Sequence, residues 1–296
     1  MYWLSYVVIA IIVIGLLVAY KTDFYLAQIL LIQNLLIFMI VNIPSIAYPS
    51  LAYTVINDLA GRAIYLQTFE NLHSFITLMY LHASFMHIIG NILVLFFIGV
   101  ALEDRIGKKW TVLIYFPAGM IATLGQYSII WGSEIPNLGA SGAVMGLMGA
   151  IVYMYPKDKI PMFLGPIFMP EVRVDLAVGV FIMMQVGIAI FAGDSNVAHA
   201  AHFTGFGAGM LIGAYIKKYR KVDKQKGTKD YTKLKKLVDD GETKSIYDKI
   251  EEADTEDVKE AWAQHLLEKA RCPRCNRKLK GSTCECGYDV WKDKKE

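Results

Sequence analysis

Ser141, His202, His87 and Asn91 are the side chains that could do chemistry within long apolar stretches of this sequence. Ser141 lies in Gly139-Ala140-Ser141-Gly142-Ala143, and His202 in Ala201-His202-Phe203-Thr204-Gly205. A serine hydroxyl becomes a nucleophile when an imidazole within reach takes its proton. His87 and Asn91 stand four residues apart, so on a helix they share one face, and both can donate hydrogen bonds. Plainer roles are open to each. Serine among glycine and alanine also serves close helix packing, and an intramembrane His or Asn also joins helices by hydrogen bonds. His82 falls just outside its helix and is expected to be structural, tying down the long connection before it.

A second chemistry belongs to the cysteines. Cys272-Pro273-Arg274-Cys275 is followed, after eight residues, by Cys284-Glu285-Cys286-Gly287. In a reducing compartment this pattern reads as a four-cysteine zinc knuckle rather than two disulfides. The second half has one intervening residue instead of the usual two. With all four ligands supplied by protein, the zinc would be structural. All four cysteines lie beyond residue 271, which excludes cysteine catalysis in the apolar region. Three histidines raise metal catalysis there, but HExxH is absent and the outer half of the body offers no Asp or Glu inside a helix. No catalytic cofactor is expected.

The elements that must hold these groups follow from where the charges sit. Residues 1–216 carry 8 of the 30 Lys+Arg and 10 of the 27 Asp+Glu, and residues 217–296 carry the rest. An apolar body is thus joined to a soluble tail. The net charge of +3 is too small to argue for nucleic acid, and no basic stripe interleaved with aromatics is present. A helix needs about 20 apolar residues to cross a bilayer. Seven uncharged stretches meet or approach that length: roughly 2–20, 24–43, 84–102, 110–131, 138–156, 176–193 and 197–216. The first lacks a basic leading region and a small-residue cleavage site, so it is expected to remain as a helix.

With the N-terminus outside, the inner loops carry Lys21, Arg105, Lys108, Lys109, Lys157, Lys159 and Arg173, against Arg62 alone outside. The tail then opens with Lys217, Lys218, Arg220 and Lys221. This bias predicts a multi-pass protein of the cell membrane, with the N-terminus outside and the tail cytoplasmic. It also puts the 44–83 segment outside, as a structured or functional loop. Gly142, Gly146 and Ala150 form one small-residue stripe, and Ala201, Gly205, Gly209 and Gly213 form another. Packed backbone to backbone, they would bring Ser141 and His202 together. At 1.5 Å per residue both would sit roughly 5–8 Å below the outer boundary, and Asn91 about 10 Å below it.

Together these motifs resemble the rhomboid family of intramembrane serine proteases. The matching residues are His82-x4-His87-x3-Asn91, Gly139-x-Ser141-Gly142 and Ala201-His202-x2-Gly205-x3-Gly209, in the family's chain order. The resemblance implies an all-α polytopic membrane protein. One extra N-terminal helix (1–23) would precede a six-helix core (24–216) with the long outer loop 44–83. It implies a Ser141–His202 dyad, with His87 and Asn91, helped by the Ser141 N–H, as the oxyanion hole. Gly139, Gly142, Gly205 and Gly209 would serve the motif and the helix packing. Substrates would be transmembrane proteins in the lipid bilayer, cut near the outer face. Two departures stand out: Met145 occupies the place where many relatives carry an aromatic, and a Trp-Arg pair of the first loop reads His73-Ser74.

The tail divides into a helical region, 217–270, and a zinc-ribbon-like module, 271–296. Helical patterning over 230–240, 243–252 and 255–270 offers apolar faces with Leu234, Leu237, Val238, Ile246, Ile250, Val258, Trp262 and Leu266. The ribbon is expected to be a partner-binding or regulatory module, with any partner of the tail in the cytoplasm. Two other functions compete with proteolysis. Non-cutting family members bind membrane proteins but usually lack the Ser or the His. A transporter would show internal repeats and broken midplane helices, and no repeat is found.

Overall fold

The structure, a computed structural model, describes residues 1–164, 167–191, 198–219, 230–253 and 256–292. Arg220, Lys221 and the Val258 side chain lie outside the described residues. The chain divides into two compact units, Met1–Tyr219 and Arg220–Glu296.

In the first unit the helices are α1 (Trp3–Lys21), α2 (Leu26–Asn42), α3 (Ser50–Leu59), α4 (Phe85–Ile106), α5 (Lys108–Ile129), α6 (Ser141–Met154), α7 (Val174–Phe191) and α8 (His199–Tyr219). Among the described residues five are long and apolar enough to cross a membrane: α1, α2 with the turn that extends it to Ile46, α4, α5 and α7. The stretches 138–156 and 197–216 also hold helices. However, α6 has only 14 residues, because it starts at Ser141, and α8 dilutes its apolar residues with glycine, histidine and Lys217–Lys218. Lipid offers no hydrogen-bond partners, so apolar spans close their backbone bonds internally as helices.

Helices α5, α6 and α8 form the tightest part of the unit. A β-carbon on Gly209 would strike the carbonyl oxygen of Gly146, and one on Gly205 that of Gly142. Gly213 lies against Ala150, while Gly142 and Gly146 face Ala122 and Ala118 of α5. Between helices in a membrane, attraction rests on van der Waals contact and hydrogen bonds, and small residues let backbones approach closely. Helix α4 carries a π turn at Leu95–Gly99, which separates its first half from Glu103.

Glu103 is 2% exposed, and its two carboxylate oxygens accept from the N–H groups of Leu26 (2.7 Å) and Ala27 (2.9 Å) in the first turn of α2. Lys108 Nζ donates to the carbonyls of Ala19 and Thr22, both at 2.6 Å, at the C-terminal end of α1. The α4–α5 junction thereby supplies partners to two helix ends that would otherwise lack them. Gln33 Nε2 donates to the Ile11 and Ile12 carbonyls (2.7 and 2.9 Å), binding α1 to α2 at mid-length. Glu103→Ala leaves two buried N–H groups unsatisfied. The expected cost is about 2–4 kcal/mol, read as a lowered thermal unfolding temperature in detergent.

The 44–83 connection is ordered. It holds α3, two single-turn helices (Tyr65–Thr68 and Ser74–Thr77) and a 3-10 turn at Leu78–Tyr80. Asp58 corrects the expectation that no acidic residue stands in a helix on this side. It lies in α3, and its carboxylate accepts from the Tyr2 N–H (2.6 Å) and the Ser5 hydroxyl (2.7 Å) of the α1 end. The helical body carries one addition that the sequence reading did not contain. Strands β1 (Lys159–Leu164) and β2 (Ile167–Arg173) form an antiparallel hairpin with an irregularity between Ile160 and Met162, where Pro161 lacks an N–H.

In the second unit a 3-10 segment, Tyr231–Leu237, precedes α9 (Gly241–Glu252) and α10 (Glu256–Lys269). A capping box starts α9: Asp240 Oδ1 accepts from the Thr243 N–H (2.7 Å), and Thr243 Oγ1 accepts from the Asp240 N–H (3.1 Å). Leu234, Leu237, Ile246, Ile250 and Leu266 share one buried core with Cys272, Cys284, Tyr288 and Val290, so the helices and the cysteine module fold as one body.

Candidate active site and metal centre

Ser141 is the first residue of α6. The first backbone bond of that helix runs from the Val144 N–H to the Ala140 carbonyl (3.0 Å), so the N–H groups of residues 141–143 precede the helical ladder. His202 lies in the first turn of α8 and is buried. The Gly142–Gly205 approach sets these two first turns side by side, with the Ala201 carbonyl 3.8 Å from a β-carbon built on Gly142. Among the described residues no hydrogen bond joins Ser141 Oγ to the His202 ring. Nucleophile and base in unliganded sites are commonly looser than in the working complex.

His87 reaches the same place from α4. Ser84 caps that helix, its hydroxyl accepting from the His87 N–H at 3.2 Å. A β-carbon on Gly139 would lie 2.7 Å from His87 Cε1 and Nε2, and 3.8 Å from Ser141 Oγ. Gly139 therefore lets the imidazole edge and the hydroxyl border one space. Its φ of +129° is a second reason for glycine there. Gly139→Ala is expected to slow any covalent modification of Ser141 by at least about 10-fold, since it combines strained backbone with a ring collision. A labelling time course on folded protein reads this out.

Asn91 is buried one turn below His87, and its Nδ2 donates to the His87 carbonyl at 2.9 Å, which leaves a second N–H on the same amide. His82 is buried, and its ring meets the His87 ring edge to face, 5.0 Å between centroids. Its contact is thus with His87, alongside a long 3.5 Å bond from Asn42 Nδ2 to its carbonyl.

The 44–83 connection is stitched to the loop that leads into Ser141. Gly61 and Asn137 exchange two backbone hydrogen bonds (3.0 and 2.7 Å), the Ile64 N–H donates to Ser133, and the Gly139 N–H donates to Leu78 at 2.8 Å. Arg62 donates to the Glu134 and Asn57 carbonyls and to the Tyr65 hydroxyl. His73 Nε2 donates to the Asp58 carbonyl at 3.0 Å. Arg62 and His73 thus anchor this connection without a Trp-Arg pair.

One polar group at the site was not singled out from sequence. Gln185 of α7 is 8% exposed, and its Oε1 lies 2.9 Å from His202 Nδ1. An amide in the middle of an otherwise apolar span is the signal that would have drawn attention to it.

The four cysteines are free, and their sulfurs all lie within 4.8 Å of one another. Cys272 pairs with Cys286 at 3.6 Å and Cys275 with Cys284 at 3.4 Å. Tetrahedral zinc at its usual sulfur distance sets neighbouring sulfurs about 3.8 Å apart, so the donor set can hold a metal. Asn276 (φ 58°) and Gly287 (φ 85°) supply the tight turn after each cysteine pair. Burial opposes ionisation of Cys272, but the Arg274 and Cys275 N–H groups and the neighbouring thiols hold it down to about 7. The Arg277 N–H favours the Cys275 thiolate, yet its bonds with Cys284, Cys286 and Cys272 outweigh this and push it up to about 12.

The chain is 27% identical over 141 residues to Rhomboid protease GluP of Bacillus subtilis, covering 48% of this chain and 25% of that protein. It is 27% identical over 175 residues to RHOMBOID-like protein 12, mitochondrial, of Arabidopsis thaliana, covering 53% and 51%. It is 31% identical over 143 residues to RHOMBOID-like protein 1 of the same plant, covering 46% and 32%. The chain therefore spans between a quarter and half of the length of these curated relatives. The profile of the rhomboid domain matches residues 70–219. With half of the chain inside that profile, and with it every residue from His82 to Gly209, this integral membrane protein belongs to the rhomboid family.

Proposed function

We propose that the chain is an intramembrane serine endopeptidase that cuts transmembrane proteins with a Ser141–His202 dyad. The observation that carries the reading is the glycine contact between α6 and α8, which sets the first turns bearing Ser141 and His202 together while His87 borders the hydroxyl at Gly139. His202 takes the Ser141 proton as Oγ attacks the scissile carbonyl carbon. The resulting oxyanion is met by the His87 ring, the free N–H of the Asn91 amide and the Ser141 N–H. As the C–N bond breaks, His202 passes its proton to the leaving amine. Water, deprotonated by the same imidazole, then hydrolyses the acyl-enzyme.

The excess of Lys and Arg on one set of loops supports a cell-membrane orientation with the N-terminus and the site outside and the tail in the cytoplasm. Substrates would then be cut near the outer face. The test is a fluorophosphonate serine probe applied to the full chain in detergent, together with a reconstituted single-pass substrate. Covalent labelling and one defined cleavage are expected; a folded protein that takes no probe and leaves the substrate intact sinks the reading.

For the tail we propose a structural zinc on Cys272, Cys275, Cys284 and Cys286. The mutual spacing of four free sulfurs supports it. The module so formed would present a binding surface to a cytoplasmic partner.

A further inference from the structure

Helix α7 is apolar from Leu176 to Phe191 except for Gln185. A neutral amide inside lipid is costly unless it is partnered, and Gln185 is both buried and partnered: its Oε1 stands 2.9 Å from His202 Nδ1. An amide oxygen can only accept a hydrogen bond. Nδ1 must therefore carry the proton, and the lone pair of the neutral ring falls on Nε2. A general base needs that arrangement, because with the other tautomer Nε2 would present a proton instead of accepting one.

We propose that Gln185 is the positioning residue of the dyad: it accepts Nδ1–H, fixes the tautomer and holds the ring with Nε2 available to Ser141. This rests on the reading of Ser141 as nucleophile and His202 as base. The amide does the orienting work that a carboxylate does in a three-residue triad, with no charge to bury in the membrane. As the imidazole gains the serine proton, the amide dipole lies against the developing positive charge, although more weakly than a carboxylate would. Among the described residues the titratable groups facing the ring are His199 on the same helix, 6.3 Å away between ring centroids, and His87 on α4. No carboxylate is among them. The tautomer is therefore set from α7.

The rate of fluorophosphonate labelling of the full chain in detergent, followed between about pH 5 and pH 9, tests this on wild type, Gln185→Leu, Gln185→Glu, Ser141→Ala and His202→Ala. Thermal unfolding checks each variant. Gln185→Leu leaves Nδ1–H without a partner and should label about 10- to 100-fold more slowly. Gln185→Glu restores an acceptor at the same atom and should label near the wild-type plateau. Its carboxylate stabilises the imidazolium, so the pH midpoint of labelling should move up by about one unit or more. A residue that only filled space would give no midpoint shift with glutamate. If Gln185→Leu does not fold, the midpoint of Gln185→Glu decides. Labelling of Gln185→Leu at the wild-type rate, or an unmoved midpoint in Gln185→Glu, overturns the proposal. Either result with His202→Ala inert leaves the dyad standing, whereas His202→Ala labelling like wild type removes the dyad itself.

Discussion

Ser141→Ala should show no covalent labelling by a fluorophosphonate at any pH, and His202→Ala should label at least about 10³-fold more slowly than wild type. The first substitution removes the atom that forms the bond. The second removes the base, and an unassisted serine hydroxyl is a weak nucleophile at neutral pH. The two substitutions should differ little in cleavage of a protein substrate, since residues that act as one unit are not additive, and the double variant should be no worse than Ser141→Ala. Ser141→Ala should lower stability little, because Ser141 is only half-buried at a helix start, whereas His202→Ala leaves the buried Gln185 amide oxygen without its partner and should cost about 1–3 kcal/mol. Equal labelling of wild type and both single variants would end the case for proteolysis.

The purified chain should carry about one zinc, and Cys272→Ser should lose it. Binding free energies of structural zinc sites are on the order of 10–16 kcal/mol near neutral pH, more than a small core of this kind can replace. Cys272 and Cys284 belong to the same buried core as Leu234, Ile246 and Leu266, so stripping the metal should loosen the helices as well as the cysteine module. Trp262 and Trp291 pack at its edge and would report the change in near-ultraviolet dichroism or fluorescence. Labelling of Ser141 should persist in the stripped protein, because the body is a separate compact unit. A tail that stays folded and metal-free after purification would overturn the assignment.

Much of the body is legible in the sequence for one physical reason. In lipid an apolar stretch must satisfy its own backbone, so each of the seven uncharged stretches holds a helix. The four-residue spacing of small residues likewise reveals which faces can touch, and from that the meeting of α6 with α8. What the sequence hides are partners set by tertiary placement. Arg62 reads as one count in a charge tally, yet it ties two loops together through Glu134, Asn57 and Tyr65. Gln185 passes a screen built on charge because an amide has none. Glu103 looks like the soluble end of a span, and only the fold places the start of α2 against it. Pro161 and Pro170 argue against strands over 159–173, and the hairpin forms nonetheless, with its irregularity beside Pro161. In the tail, Asp240 and Thr243 mark the start of α9, a signal as local in the structure as in the sequence.

The π turn at Leu95–Gly99 accommodates one residue more than an α-helical turn would. Each residue of an α-helix turns it by about 100°, but a π turn takes its surplus residue into the same turn, so the half of α4 that bears His87 and Asn91 keeps its angular phase with the half that bears Glu103. Losing a single residue there would let the helix close as an uninterrupted coil with both halves still facing their partners. Removing a residue elsewhere in α4 leaves no such relief and would turn one half by about 100°, so that either the imidazole leaves the hydroxyl or the carboxylate leaves the start of α2. Deletions outside the π turn are therefore far more damaging than one within it.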